Sequence, residues 1–435
     1  MTILRFAVRG STETLTASDT VALFDRSTSS DASVQSATAS IIGRVRREGD
    51  RALMALAWEF DGVDLDALEV PRVQCERALA ALDPALRRVL ERAAANIRTV
   101  HEAMRPVECT VTTADGVVIG RRPDPLGRVG VYAPGGRARY PSSLLMGAIP
   151  ARVAGVEEVI VCSPPGANGL PGETLLAAAA IAGVDHLFAV GGAGAIAAMA
   201  YGTATIPRVD RVVGPGNAYV AEAKLQLCGV VGIDSPAGPS ELLVLADEEA
   251  SPDVIAREMI AQAEHDPAAA VILVTTSSRL AAEVTDKIAR GLETAPRALV
   301  ALAAFEARGA ILIAPSLERA IAFANEWAAE HLLVAVSTTQ QSTVLASLRN
   351  AGTVFVGETT SVAFGDYMTG ANHVLPTGGL ARSYSGLSTV DFMRWTTWQR
   401  VGRAEARSLA SDVALFAEAE GLPAHAAAAR QWESE

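Results

Sequence analysis

The chain has 435 residues, half of them hydrophobic and a fifth charged, which is enough for more than one domain and a sizeable core. Its net charge of −12 disfavours nucleic acid and anionic membrane as partners. Four cysteines, Cys75, Cys109, Cys162 and Cys228, include no C-x-x-C pair; that argues against a zinc–thiolate cluster or disulfide framework, fits a reducing cytoplasm, and leaves each as a small buried hydrophobe.

The opening "MTILRFAVRGSTETL" has no basic start followed by an apolar block, so no signal peptide is expected. The first hundred residues read as mostly helical. In "DPALRRVLERAAANIRTVHEAM", Asp83 is placed as N-cap and Pro84 as the first helical residue. "CTVTTADGVVIGRR" predicts two strands around an Asp115-Gly116 turn. From Gly127 the pattern becomes β-α-β-α-β-α: "EEVIVCSPP", "HLFAV" and "VDRVVG" alternate with "ETLLAAAAIAG", "GAIAAMAYG" and "NAYVAEAKLQL". That alternation predicts a parallel sheet covered on both faces. The most apolar run, 187–204, has roughly the length of a membrane span. It is rich in Gly and Ala, however, and reads as a buried strand and helix. After "ELLVLAD" a second α/β unit follows, with strands "AVILVTT", "GAILIAP", "LLVAV" and "TVFVG" and helices "RLAAEVTDKIARGL" and "LERAIAFANEWAAEH". The helix ending in "QAEHD" is placed between the two units. From about Thr389 the chain is expected to turn helical, with Gly421 ending that helix and a short segment carrying His425 after it.

Several places could carry chemistry. Gly192, Gly194 and Ala197 match G-x-G-x-x-A after a strand, with Asp210 at the distance of a ribose-binding acid. A chain with 36 glycines also produces that pattern by accident. "YAPGGRARYPSS" and "VGPGN" add Gly-Pro turns after strands, where ligands bind in open α/β sheets. Gln262 falls on the apolar face of its helix with Ile255 and Met259, and His265 lies three residues on. A buried amide without a partner costs ~1–3 kcal/mol, so the pair reads either as a hydrogen-bonded core pair or as two ligands of one metal ion. His331 falls on the apolar face of its predicted helix with Glu330 beside it, an arrangement suited to proton transfer or to plain core packing. "FGDYMTGANHVLPTGG" places Asp366 and His373 in a Gly-rich loop, and "EGLPAH" carries Glu420 and His425. His101 and His186 have no polar company in sequence.

Taken together and in order, "VGVYAPGG", "YPSSLLM", "VGPGNAYVAEAK", "GIDSPAGPSE", "QAEHDP", "AEHL", "GDYMTGANHVLPT" and "EGLPAH" resemble the histidinol dehydrogenase family, over about residues 30–430. The resemblance implies an α/β fold with two Rossmann-like units and parallel sheets, a helical N-terminal region and a small helical C-terminal extension, within the aldehyde dehydrogenase-like superfamily. The expected divisions are an arm at 1–25, a first Rossmann-like domain from 26–130 plus 241–380, a second at 131–240, and an extension at 381–435 that reaches a partner subunit. The implied activity is oxidation of L-histidinol to L-histidine through the aldehyde, with two NAD⁺ and one zinc ion per subunit, in an intertwined cytoplasmic homodimer.

Carried over residue by residue, the resemblance makes Gln262, His265, Asp366 and His425 the zinc ligands, with His425 supplied across the dimer. It makes Glu330 and His331 the proton acceptors. Ser240, His373 and Glu420 then hold the substrate, with His331 and the four ligands also against it. Tyr132, Gly194 and Asn217 fall at positions that contact NAD. Position 194 is usually glutamine in the family, so the glycine removes an amide contact and makes the G-x-G-x-x-A match an accident of that substitution. Gly147 stands where asparagine is common, and Arg137 and Arg139 make their loop more basic. These departures leave a second reading, a related NAD-dependent dehydrogenase of another amino alcohol or a sulfonated diol. A third reading, of another class, is a zinc hydrolase in which Glu330 activates water. A non-catalytic binding protein has no use for both Glu330 and His331.

Overall fold

The computed structural model describes residues 4–26, 32–135 and 140–433; Arg137 and Arg139 lie outside the described residues. Short runs rich in Val, Ile and Leu become parallel strands, and the Ala-rich or amphipathic runs between them become helices.

The five-stranded parallel sheet has the order His186–Ala189, Glu158–Ser163, Arg128–Tyr132, Arg211–Val213, Gly232–Ile233. Chain direction across the sheet reverses between Arg128–Tyr132 and Arg211–Val213, which makes that pair a topological switch point. The six-stranded parallel sheet has the order Val8–Ser11, Gly309–Ile313, Ala270–Thr275, Glu241–Ala246, His331–Ala335, Thr353–Val356. Its reversal lies between Glu241–Ala246 and His331–Ala335, where His331 stands opposite Leu242. A third, antiparallel sheet joins Cys109–Thr112, Val118–Pro125 and Met393–Arg400. Its first two strands form the predicted hairpin, and Gly116 supplies the positive φ of +83° that the turn requires.

The helices Ala32–Glu48 and Asp50–Leu56 pack on the five-stranded sheet, with Ile42, Val45 and Leu53 in one core with Tyr132, Ile160 and Ala197. The run 187–204 divides into the strand His186–Ala189 and the helix Gly192–Tyr201, and among the described residues no helix is long and apolar enough to cross a membrane.

Five expectations change. Part of the N-terminal arm is a strand, Val8–Ser11, which closes the edge of the six-stranded sheet against Gly309–Ile313. The "QAEHD" helix, Pro252–Ala263, joins strands Glu241–Ala246 and Ala270–Thr275, so it lies inside the second unit rather than between the two. The chain after Thr389 forms one short 3-10 turn and then the strand Met393–Arg400, because Trp395, Thr396, Thr397 and Trp398 favour a pleated surface; Trp398 lies over Gly120, where a Cβ would meet the ring. The helix Leu317–Trp327 stops early. Ala328 takes a left-handed φ of 54°, so His331 opens a strand instead of closing a helix. Two of the four cysteines, Cys109 and Cys228, are exposed rather than buried.

Candidate active site

The central strands Glu241–Ala246 and His331–Ala335 begin at the same edge of the six-stranded sheet, and the side chains of greatest chemical interest cluster there. His331 is buried, and its Nδ1 lies 3.0 Å from the Glu241 carbonyl and 3.3 Å from Glu330 Oε2. Both partners only accept, so Nδ1 carries a proton in either charge state, and Nε2 holds a lone pair only in the neutral ring. Among the described residues Nε2 finds no hydrogen-bond partner, and it faces Asp366 Oδ1 at 3.7 Å. Burial alone lowers the affinity of His331 for a proton, but Glu330 and Asp366 together outweigh it and raise its pKa well above the ordinary value. Glu330 is also buried, and its Oε2 accepts the Glu241 N–H at 2.7 Å.

Asp366 comes from the short helix Val362–Tyr367, in a segment expected to be a loop. Burial pushes its carboxyl up, yet the imidazoles of His331, His373 and His265 hold it below the usual carboxylate range. The first residue of that helix is tied to Pro252–Ala263, because Glu258 Oε2 accepts the Val362 N–H at 3.1 Å. Gln262 is one turn on from Glu258, buried on the face that carries Ile255 and Met259. Its side chain makes no hydrogen bond to any described residue, and His265 is exposed, so the hydrogen-bonded core pair is not formed. The two residues stand instead at the C-terminal end of the helix, on the side of Asp366.

His373 is held from both sides. Its Nδ1 donates to the Asp366 carbonyl at 3.1 Å, which leaves Nε2 to accept the Ser143 hydroxyl at 3.0 Å. Ser143 belongs to the helix Pro141–Ala154, and Asn372 donates to the Met146 carbonyl of that helix at 2.8 Å. Ser240 lies just before the strand Glu241–Ala246, at the same edge as Glu330 and His331. Sequence reasoning did not single out Ser143 or Glu241, although "YPSS" and "GPSE" contain them.

The remaining residues gather where the strands of the five-stranded sheet end. Tyr132 closes Arg128–Tyr132, and its hydroxyl accepts the Gly192 N–H at 3.1 Å. Asn217 caps the helix Ala218–Leu227 by accepting from the N–H groups of Tyr219 and Val220. Gly194 is buried in the first turn of Gly192–Tyr201, where a Cβ would lie 3.1 Å from Leu56 and 3.4 Å from Leu53. Asp210 is at the other edge of the sheet and accepts from Gly127 and Arg128 N–H, so it is no ribose acid for that glycine turn.

Two residues are not brought into the cluster. Glu420 and His425 are exposed, on a C-terminal pair of helices, Arg403–Ala419 and Pro423–Arg430, that close on each other through Ala414, Ala417 and Ala426. Among the described residues no three His, Cys, Asp or Glu side chains close on one point. His186, read as lacking polar company, meets Glu69 at 2.7 Å, and the buried His101 lies 3.3 Å from Thr389 Oγ1.

The comparisons with known proteins bear on this arrangement as a whole. The family model for histidinol dehydrogenase matches residues 24–431. The chain belongs to the histidinol dehydrogenase family. It is 46% identical over 393 residues to histidinol dehydrogenase from Methanothermobacter thermautotrophicus, covering 90% of this chain and 92% of that one. It is 49% identical over 409 residues to the enzyme from Halobacterium salinarum, covering 94% and 95%. The crystal structure of histidinol dehydrogenase from Elizabethkingia anophelis superposes with a TM-score of 0.94 at 32% identity, covering 100% of this chain and 99% of that one. The two-sheet architecture is therefore that of the histidinol dehydrogenase fold.

Proposed function

We propose that the protein oxidises L-histidinol to L-histidine through L-histidinal, with two NAD⁺ and one zinc ion per subunit. Family membership supports the reaction, and one observation supports the site: His331 Nε2, without a hydrogen-bond partner among the described residues, faces Asp366 beside Glu330 and the unbonded amide of Gln262.

The donor set fits zinc. Gln262, His265 and Asp366 bring a carbonyl oxygen, an imidazole nitrogen and a carboxylate to one side of the sheet edge, a mixed nitrogen and oxygen set that zinc accepts. Zinc takes four ligands and these residues supply three, so the fourth comes from elsewhere; His425 fills that place from a second subunit. Bound zinc would polarise and orient the amino alcohol, and NAD⁺ would accept the hydride. The chain's own residues handle the protons. The neutral form of His331 takes the hydroxyl proton at Nε2 while Nδ1 stays anchored on the Glu241 carbonyl. Glu330, with Oε2 fixed by the Glu241 N–H, keeps Oε1 for a water that attacks the aldehyde. Ser143 holds His373 upright to receive the substrate, with Ser240 and the partner-supplied Glu420 on its other sides. Tyr132 and Asn217, with the Gly194 turn, receive NAD⁺ at the other sheet.

A homodimer is part of this proposal. The C-terminal helices carry Leu415 and Phe416 at 68% and 70% exposure, side chains that a partner surface would cover. The cytoplasm suits four unpaired cysteines.

Purified protein with zinc, NAD⁺ and L-histidinol is expected to form two NADH per L-histidine. NADH from a different alcohol but none from L-histidinol reassigns the substrate, and bound zinc with no NADH from any alcohol points to the hydrolase. Mixed dimers of His331→Ala and His425→Ala subunits are expected to regain one competent site; no recovery places His425 in its own subunit's site.

A further inference from the structure

A buried ion pair lies directly behind the proposed proton acceptors. Arg26 Nη1 meets Glu241 Oε2 at 2.5 Å, and each side chain is only 3% exposed. Five contacts radiate from the pair. The second oxygen of Glu241 accepts the Gly378 N–H at 2.8 Å, five residues after His373. The main chain of Glu241 donates to Glu330 Oε2 at 2.7 Å and accepts from His331 Nδ1 at 3.0 Å, so this one residue sets both acceptors. Arg26 donates to the carbonyl of Trp327 and lies 3.7 Å above its ring. Trp327 ends the helix Leu317–Trp327, and the left-handed Ala328 then turns the chain into Glu330.

We propose that Arg26 and Glu241 are positioning residues, an ion pair that fixes the two peptide segments from which Glu330 and His331 project and so holds both groups in the arrangement that moves protons. The inference rests on the function proposed above. A buried ion pair adds little net stability, because desolvating both charges offsets their attraction. The flat guanidinium is what the place requires: it pairs with a carboxylate, donates to a carbonyl and stacks on an indole at once, which a lysine ammonium cannot do. The Nδ1-protonated form of His331 also depends on the Glu241 carbonyl staying where it is.

Arg26→Lys and Glu241→Gln test this in the full-length, zinc-loaded enzyme. Both are expected to lower kcat for L-histidinol at least about tenfold, with KM and zinc content within about twofold of wild type. On a Glu330→Gln background each is expected to cost less than in the wild type, because one of the two groups through which the pair acts is gone. Unchanged kcat per folded site, or full additivity with Glu330→Gln, overturns the inference and leaves a structural role only. If Glu241→Gln does not fold, Arg26→Lys carries the test alone. The ¹⁵N resonances of the His331 imidazole, read at high pH without substrate and assigned with His331→Gln, give a second readout independent of turnover. They are expected to show Nδ1–H alone in the wild type and a tautomer mixture in the variants; identical signals overturn the inference. Wild-type protein that forms no NADH with L-histidinol defeats the proposed function, and the imidazole signals still decide the role of the pair.

Discussion

In the five-stranded sheet, Tyr132, the Gly191-Gly192 turn and the Gly214–Asn217 loop sit where strands end; in the six-stranded sheet, Glu330, His331 and Glu241 sit at or beside strand beginnings. The difference is electrostatic. A strand that ends leads into a helix, and that edge collects helix N-termini, here Gly192–Tyr201 and Ala218–Leu227. Free N–H groups and the positive end of the helix dipole suit a pyrophosphate. A strand that begins follows a helix, and that edge collects helix C-termini, here Pro252–Ala263 with Gln262 and His265, and Leu317–Trp327 just before Glu330. Carbonyls and the negative end of the dipole suit a cation and bases. One chain thus has one edge whose electrostatics suit an anion and one whose electrostatics suit a cation, each from an ordinary parallel sheet.

The division predicts separable losses. Asp366→Asn, at the cation edge, is expected to lose bound zinc and to lower NADH formation on the order of 100-fold or more, since even outer-shell changes at metal sites cost 10–100-fold. NAD⁺ binding, measured by fluorescence titration, is expected to stay within about twofold. An equal loss of NAD⁺ affinity breaks the division. Tyr132→Phe, at the anion edge, withdraws the hydroxyl that accepts the Gly192 N–H. It is expected to raise KM for NAD⁺ roughly tenfold, about 1.4 kcal/mol, with zinc content unchanged. A fall in zinc with KM unmoved reverses the assignment of the two edges.

Much of this was legible in the residues, and the rest was hidden for identifiable reasons. The alternation of apolar strands with Ala-rich helices announces both parallel sheets, and Gln262 betrays itself as an amide on an apolar face. Which edge of each sheet is used could not be read, because that depends on strand order, and "LLVAV" gives no sign that its neighbour is Glu241–Ala246. Glu330 and His331 read as helical because "LERAIAFANEWAAEH" keeps its period past Trp327, and only a left-handed alanine breaks it. Val8–Ser11 was missed since an edge strand with one buried residue has no alternation to see. Arg26 and Glu241 were invisible as a pair: 215 positions separate them, and each is merely a charge in its own stretch.

Two departures from the family pattern sharpen the anion-edge half of the comparison. At Gly147 a Cβ would lie 2.6 Å from Val131 Cγ1, on the sheet's own switch strand, because the helix Pro141–Ala154 is seated closely against Arg128–Tyr132. Gly147→Asn is therefore expected to destabilise the fold by ~1–3 kcal/mol in urea unfolding, by overpacking at a contact that cannot yield without moving strand or helix. A neutral result means that the helix can lift off the sheet.

Gly194 is a milder case. Its φ is ordinary, and the atoms nearest an added Cβ are the methyl tips of Leu56 and Leu53, which can rotate away. Gly194→Ala is expected to change stability by less than about 1 kcal/mol, since the gain in helix propensity offsets the small displacement of Leu56. It brings no hydrogen-bonding group, so KM for NAD⁺ is expected to stay put. Gly194→Gln adds an amide at the N-terminal turn that faces the proposed cofactor, and one such contact is worth ~1 kcal/mol, about a fivefold lower KM. The alanine variant separates the two effects: a change in KM shared by both variants reports crowding from Leu56, whereas a change confined to glutamine reports the amide. If glutamine leaves KM where glycine has it, the cofactor does not pass over this turn, and the anion edge must be drawn around Tyr132 and Asn217 alone.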